Sequence, residues 1–236
     1  MDQNIIDAIF RHAKEEYPRE CCGVVVQKSR VKKYFRCKNI TQNPTEQFEI
    51  DPEDYADAED WGTVTHIVHS HPGDGASPIP SDLDYVQCDA HSLPWIIVSW
   101  PGGEYNIIEP RGDRPLTGRP FVLGYADCWS LIREWHSLRG VDLKNYSVPY
   151  AWWEKGENLY LENWESAGFV EVETPRPGDM VMMRIGSDVV NHAGILLEDN
   201  YILHHLYGRL SCEVPYSQYW RDRTEKIVRH KDLKDE

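Results

Sequence analysis

Residues 110–120 interrupt the apolar pattern of the chain and limit what it can fold into. This stretch, Pro-Arg-Gly-Asp-Arg-Pro-Leu-Thr-Gly-Arg-Pro, concentrates proline, glycine and charge, and it has no apolar periodicity that could anchor it in a core. We therefore predict a linker at residues 110–120 between one domain over residues 1–109 and a second over residues 121–236. Each part has about the 100 residues that a compact domain needs to bury a core of its own.

The apolar periodicity of both parts predicts an α+β fold. In the first part, an amphipathic helix ends at Pro18, and another begins after the capping Asp51 and ends at Gly62. Strands are predicted there at residues 22–26, 31–37, 64–71, 95–100 and 105–108. In the second part, Asp127 caps a helix that Gly140 ends, and strands are predicted at residues 180–183, 189–197 and 201–206.

Charge and cysteine content narrow the class of protein. The net charge of −14 and the shortness of the basic run at residues 28–33 argue against a nucleic-acid-binding protein. No segment has the length of a membrane span, and the N-terminus shows no signal-peptide pattern. Six cysteines without such a signal indicate synthesis in a reducing compartment, where disulfides are not expected.

Two histidines and a carboxylate form a candidate metal site in the first part. His69 and His71 lie two positions apart in a predicted strand, so both imidazoles project from one face. Asp84 falls in the first turn of the next helix and could complete a set that leaves one tetrahedral position for water, as a catalytic zinc site requires. Glu20, just before the first strand, could take a proton from that water and pass it to a leaving amine.

Together these residues resemble the JAMM metallopeptidases, or MPN domain. The shared pattern is a distal Glu, then His-x-His-Pro and Ser-x-x-Asp, matched here by Glu20, His69, His71, Pro72, Ser81 and Asp84. The resemblance covers about residues 1–109 and implies a mixed sheet with flanking helices. It also implies a zinc ion on the two histidines and Asp84, water activation by Glu20, and a tetrahedral intermediate steadied by Ser81, in cleavage of amide or isopeptide bonds. The loop before Ser81 is about two residues longer than is common in the family, which keeps Asp82 as an alternative ligand.

A cysteine at a helix start and a distant histidine form a second candidate site. Cys128 directly follows the capping Asp127, where the helix dipole favours a thiolate. His192 is the candidate general base, and a third polar group should hold its ring. A three-residue loop at residues 198–200 would put His204 on the same face as His192, whereas a two-residue turn would put His205 there.

The second part resembles the NlpC-type cell-wall peptidases, a papain-like group with a helix packed on an antiparallel sheet. The likeness covers about residues 121–236 and is carried by Cys128, residues 177–179, residues 192–195 and His204. By that resemblance His204 is the third catalytic member, Tyr125 is available to assist the thiol, and the substrate is a peptide bond of the peptidoglycan stem. The sequence departs from the common Cys-Ser-Gly pattern at Trp129. Three further aromatic side chains are candidates for a binding surface or for core packing: Trp152, Trp153 and Trp164.

The order of the two domains resembles the tail assembly protein K family of long-tailed bacteriophages. That resemblance implies a protein made in the host cytoplasm without a signal peptide and needed at the phage tail tip. It implies partners among tail tip proteins and peptidoglycan peptides, and local opening of peptidoglycan as the phage genome enters the cell. The alternatives are a structural assembly factor with weak or no catalysis and a bacterial cell-wall peptidase.

Overall fold

The computed structural model describes residues 1–234, which divide into two compact units, Met1–Gly112 and a second that begins at Asp113. The α+β class predicted for both parts is confirmed. The division falls inside the predicted linker, but residues 113–120 are not a free connection because Arg119 is bound into the second unit. Its guanidinium donates to the Glu134 carboxylate at 2.8 Å, and its backbone amide donates to the Ser211 hydroxyl at 3.0 Å.

The first unit is built on one mixed sheet. Its strands are β1 (Cys22–Lys28), β2 (Val31–Cys37), β3 (Thr63–Pro72), β4 (Trp95–Trp100) and β5 (Tyr105–Ile108). They lie in the order β2-β1-β3-β4-β5, with β3 and β4 parallel and all other neighbours antiparallel. The helices are α1 (Gln3–Glu16), α2 (Pro52–Trp61) and α3 (Asp82–His91). Three strands have their predicted bounds, and β1 and β3 extend one or two residues further.

Helices cover both faces of this sheet. The first helix, α1, buries an apolar stripe of Ile5, Ile6, Ile9 and Ala13 against one face, where Val68 of β3 lies. The other face packs on α2 and α3 through Ala58 and Cys88. Because strand side chains alternate between faces, His69 and His71 project toward α2 and α3, and Ser70 projects toward α1.

The second unit contains a six-stranded antiparallel sheet. Its strands are β6 (Phe169–Glu171), β7 (Met180–Met183), β8 (His192–Leu196), β9 (Tyr201–His204), β10 (Cys212–Pro215) and β11 (Thr224–His230), in the order β10-β9-β8-β7-β11-β6. The helices are α4 (Cys128–Ser137), α5 (Leu159–Asn163) and α6 (Gln218–Arg221), with 3-10 turns at Trp152–Lys155 and Glu198–Asn200. The apolar stripe of α4 packs on the sheet through Leu131, Ile132 and Trp135. This packing brings the start of α4 next to β8.

The sequence did not predict β6, β10, β11, α5 or α6. The strand β11 reads Thr-Glu-Lys-Ile-Val-Arg-His and lies between β7 and β6 in the sheet. Its charged residues gave it no apolar pattern from which a strand could be predicted. Helix α4 ends at Ser137, before the predicted stop at Gly140, and Gly140 turns the chain with a φ of 76°. The strands predicted at residues 189–197 and 201–206 are shorter in the structure. Within residues 1–234, no helix combines the length and the apolar composition needed to cross a bilayer.

Candidate functional sites

Three side chains of the first unit converge on one point. The Nε2 atoms of His69 and His71 lie 3.1 Å apart at the end of β3. Asp84, in the first turn of α3, brings one carboxylate oxygen to 3.2 Å from Nε2 of His69 and the other to 3.5 Å from Nε2 of His71. His69 and Asp84 are buried, and His71 is half-buried. The carboxyl end of β3 and the first turn of α3 therefore bring three possible metal ligands together.

Neighbouring groups hold the three side chains in these orientations. The Nδ1 atom of His71 lies 2.9 Å from the Ser77 carbonyl oxygen and donates to it, so the Nε2 of a neutral ring keeps its lone pair for the site. The Ser81 hydroxyl accepts the Asp84 amide at 3.1 Å and the Ser81 amide donates to the Asp84 carboxylate at 2.7 Å, which closes a capping box at the start of α3. The Ser81 hydroxyl also donates to that carboxylate, at 2.8 Å. Phe48 stacks on the His69 ring at 4.6 Å between centroids. Asp82, the alternative ligand, is exposed and is not part of the cluster.

The electrostatics of this cluster fit a cation. Burial alone would raise the pKa of Asp84, but hydrogen bonds from His69 and His71 hold the pKa well below its usual range. Burial alone would lower the pKa of His71, but the Asp84 carboxylate raises it. Burial lowers the pKa of His69, so this ring stays neutral with the ionised Asp84 carboxylate beside it. Two imidazoles and a carboxylate are the donor set that zinc takes in a catalytic site.

Glu20 lies on the same face as the two histidines. Cys22 of β1 is paired with His69 of β3, and the Ser70 amide donates to the Cys21 carbonyl at 3.1 Å. Continuing this antiparallel register places Glu20 opposite His71. Glu20 is only 5% exposed, and burial raises the pKa of its carboxyl to about 7. A group with such a pKa can both accept and release a proton near neutral pH.

The thiol of the second candidate site is buried at the start of α4. Asp127 accepts the Ser130 amide at 2.9 Å as the predicted cap, so Cys128 is the first helical residue. The Tyr160 hydroxyl donates to the sulfur at 3.1 Å, and the backbone amides of Ala193 and Trp129 also hydrogen-bond to it. Burial, followed by the charge of Asp127, nevertheless raises the pKa of the Cys128 thiol to about 12. The helix position favours a thiolate, but burial outweighs the hydrogen-bond donors and favours the neutral thiol.

The structure brings His204, and not His205, to His192. Nε2 of His192 lies 3.0 Å from Nδ1 of His204. The turn between β8 and β9 has the three residues Glu198–Asn200, which gives His204 the same strand face as His192. The His205 ring packs against Phe121 instead, at 5.1 Å between centroids. Burial lowers the pKa of His192 to about 3 and that of His204 to about 4.

Cys128 and His192 line one cleft with a volume of about 280 Å³. Aromatic side chains supply much of its wall: Phe121, Trp129, Tyr146, Trp152, Trp153, Tyr160, Trp164 and Tyr207. The three tryptophans considered from the sequence, at positions 152, 153 and 164, are therefore wall residues, and Trp152 also belongs to the core. Tyr125 is 46% exposed and lies outside this lining. The phenol that contacts the thiol, Tyr160, comes from α5, which no sequence motif marks.

Buried histidines make the second unit sensitive to acid. Burial lowers the pKa of His136 from 6.5 to about 4, and its side chain is fully enclosed between α4 and the sheet. Between pH 6.5 and 4 the unfolded chain binds protons that the folded unit does not, so the free energy of unfolding falls as the pH falls. His136 is expected to contribute about 2 kcal/mol to that loss by pH 5. Urea denaturation at pH 7 and pH 5 measures it.

The variant His136→Gln removes one of these titrating groups. It is expected to lose less stability between pH 7 and pH 5 than the wild type, by about 2 kcal/mol. The matched control is His91→Gln at an exposed position of α3, which is expected to lose as much as the wild type. An unchanged loss in His136→Gln would show that the enclosed imidazole does not resist protonation.

Comparisons with known proteins agree with the division into two parts. Residues 2–109 match the family described as prokaryotic homologs of the JAB domain, and residues 118–229 match the NlpC/P60 family. The chain is 56% identical over 238 residues to the tail tip assembly protein K of Escherichia phage N15, covering 99% of this chain and 97% of that protein. It is 37% identical over 187 residues to the tail tip assembly protein K of Escherichia phage lambda, covering 77% and 89%.

A solved structure is also similar in part. The solution structure of a protein from Desulfitobacterium hafniense has 24% sequence identity and a TM-score of 0.36. The similarity covers 44% of this chain and 77% of that protein.

Proposed function

This chain belongs to the tail tip assembly protein K family, and from that premise we propose that it is a tail tip peptidase with two active sites. The second unit hydrolyses peptide bonds in the peptidoglycan stem while the phage genome crosses the cell wall. The first unit is a zinc metallopeptidase for a peptide or isopeptide bond. Other tail tip proteins are its assembly partners. The observation that carries the proposal is that Cys128 and His192 line one substrate-sized cleft, with His204 hydrogen-bonded to His192 behind it.

The chemistry of the second site is acyl transfer through sulfur. The Cys128 sulfur attacks the peptide carbonyl carbon as its proton passes to His192. The imidazolium then returns this proton to the leaving amine as the C–N bond breaks, which leaves a thioester on Cys128. Water attacks the thioester, gives one proton to His192, and releases the carboxylic acid as that proton returns to the sulfur. The thiol is thus regenerated, and one water is consumed for each bond cut.

The resting site is a neutral thiol beside a neutral imidazole. The pKa of Cys128 is raised to about 12 and that of His192 is lowered to about 3, in both cases mainly by burial. Proton removal must therefore accompany the attack of sulfur on the substrate and cannot precede it. Substrate binding in the apolar cleft would supply the energy for this step, because productive contacts with a remote part of the substrate lower the barrier.

The first site supports metal-assisted hydrolysis. His69, His71 and Asp84 would hold a zinc ion, which when bound supplies Lewis acidity toward a carbonyl oxygen. Glu20, with a pKa raised to about 7 by burial, takes a proton from the attacking water and gives one to the leaving amine. The Ser81 hydroxyl orients Asp84 and is the residue proposed to steady the tetrahedral intermediate. The register that sets Glu20 opposite His71 supports this division of roles.

A second candidate function is a structural assembly factor that binds peptides in the cleft without cutting them. The observation that favours it is the burial of Cys128, which is 9% exposed and has a pKa raised to about 12. Such a protein would hold a stem peptide or a tail segment in the aromatic cleft and leave its bonds intact.

Digestion of purified peptidoglycan by the full chain separates the two functions. A peptidase is expected to release fragments that end in new amino and carboxyl groups within the stem peptide, identified by mass spectrometry. Glycan fragments with new reducing ends would contradict a peptidase. Intact peptidoglycan that nevertheless binds the protein would favour the assembly factor.

The variant Tyr160→Phe tests the hydroxyl that donates to the thiol. Without this donor the developing thiolate is less stable, so the rate of peptide release is expected to fall about tenfold. The ring keeps its contacts with Trp129 and Trp152, so the melting temperature should change little. Tyr125→Phe, at an exposed phenol outside the cleft, is the matched control and should retain the wild-type rate. Equal rates for the two variants would exclude a role for Tyr160.

A further inference from the structure

A second thiol lies behind the histidine pair. The sulfur of Cys212, on β10, is 3.6 Å from Nε2 of His204, on β9. The two residues are directly opposite in the antiparallel register of these strands. Because Nδ1 of His204 faces His192, both nitrogens of the His204 ring have a partner, and one of these partners is Cys212.

Backbone pairing holds Cys212 in this place. The residue before it, Ser211, donates its amide to the Arg119 carbonyl at 3.0 Å and accepts the Gly118 amide at 2.7 Å. The start of β10 is therefore fixed on one side by β9 and on the other by residues 118–119. The contact between Cys212 and His204 is a product of the fold and does not depend on a mobile side chain.

The donors around Cys128 indicate the direction of the hydrogen bonds. Its sulfur already receives the Tyr160 hydroxyl and two backbone amides, so the proton it carries needs an acceptor. His192 is the imidazole in the same cleft, and its Nε2 faces His204, which leaves Nδ1 to accept. The ring proton of neutral His192 must then lie on Nε2 and be donated to Nδ1 of His204. It follows that neutral His204 carries its own proton on Nε2, toward Cys212.

We propose that the sulfur of Cys212 accepts the Nε2 proton of His204 and so fixes the tautomers of His204 and His192 that leave Nδ1 of His192 free as the base. Cys212 is a positioning residue at the end of a chain of donors that runs Cys128, His192, His204, Cys212. It touches no substrate and stays a thiol throughout. Its own proton is not donated to Nε2 of His204. The proposal rests on the proposed function, because the direction of the hydrogen bonds follows from acceptance of the Cys128 proton by His192, but NMR can read that direction without any measurement of activity.

The reverse orientation would disable the site. A Cys212 thiol that donated to Nε2 of His204 would put the His204 proton on Nδ1, and His204 would then donate to Nε2 of His192. His192 would then carry its own proton on Nδ1, and that nitrogen could not accept the proton of Cys128. Burial raises the pKa of the Cys212 thiol, so its sulfur is a neutral acceptor. The remaining groups near His204 are the Trp220 ring, at 4.6 Å between centroids, and the neighbouring His205, whose charge would lower the pKa of His204.

Imidazole ¹⁵N NMR of the full chain tests the direction of these bonds. The ¹⁵N signals of His204 are assigned by their loss in the His204→Gln variant. In the wild type, the His204 ring is expected to carry its proton on Nε2 and none on Nδ1. Cys212→Ala, which lacks the acceptor, is expected to show a mixture of the two His204 tautomers. The control Glu213→Ala changes an exposed side chain on the same strand and should keep the wild-type tautomer. A wild-type His204 protonated on Nδ1 would overturn the proposal.

Kinetics of peptide release provide the second readout. Cys212→Ala is expected to lower kcat about twofold with KM unchanged, since losing one net hydrogen bond, worth about a tenfold ratio of tautomers, leaves about half of the molecules in the productive form. Cys212→Ser, whose oxygen also accepts, should stay closer to the wild type than Cys212→Ala. A wild-type kcat in Cys212→Ala would overturn the positioning role. If the wild type itself released no peptide, the proposed function would fail, and the NMR result would still decide the role of Cys212.

Discussion

Peptidoglycan treated with the Cys128→Ala variant is expected to release stem peptides about 10³-fold more slowly than with the wild-type chain. The sulfur is the proposed nucleophile of the cleft, and loss of a nucleophile removes most of the rate enhancement of a covalent mechanism. The substitution removes one buried atom beside Trp129 and Tyr160, so the fold should be retained. The measurement is the rate of appearance of new amino groups in a purified peptidoglycan digest.

The matched control for this variant is Cys88→Ala, which removes a buried thiol from the first unit. It should digest peptidoglycan at the wild-type rate, because Cys88 packs between α3 and the sheet and lies outside the cleft. A Cys128→Ala protein that released peptides as fast as Cys88→Ala would rule out a thiol mechanism.

The second large effect is expected for metal content. The wild-type chain, purified without chelator, is expected to carry about one zinc ion, and His71→Ala almost none. Losing one of three protein ligands leaves only His69 and Asp84, a pair too weak to retain zinc through dialysis. Elemental analysis of the dialysed proteins gives the ratio directly, and it requires no knowledge of the substrate.

His91→Ala is the control for the metal experiment. His91 is the last residue of α3, the helix that carries Asp84 in its first turn. Its side chain is exposed and hydrogen-bonds to the Gln87 carbonyl of the same helix. Its removal should leave the zinc content unchanged. A wild-type protein that stays free of zinc when the ion is supplied would contradict the metallopeptidase assignment of the first unit.

Local chemistry made the first site predictable from sequence. The alternation of a strand places His69 and His71 on one face whatever the rest of the fold does, and the Ser81 cap fixes where α3 begins and thus where Asp84 points. These signals act over a few residues. For the same reason, α2 begins after the capping Asp51 and ends before Gly62, as predicted.

Features that depend on distant segments were not predictable in the same way. The choice between His204 and His205 depended on the length of the turn after β8, which propensity alone leaves open. Tyr160 and Cys212 reach the site from α5 and β10, and neither element has a pattern that distinguishes it from a loop. The high pKa of Cys128 reflects its burial among α4, α5 and the sheet, a tertiary property that the cap at Asp127 could not reveal.

The strand that carries the metal ligands also joins them to the N-terminal helix. Ser70, between His69 and His71, accepts the Cys21 amide at 2.8 Å on the face that α1 covers. The candidate zinc ligands on one face and the apolar helix α1 on the other therefore share a single ladder of β1 and β3. By thermodynamic reciprocity, whatever free energy zinc adds to the seating of that helix, the seated helix adds equally to the retention of zinc.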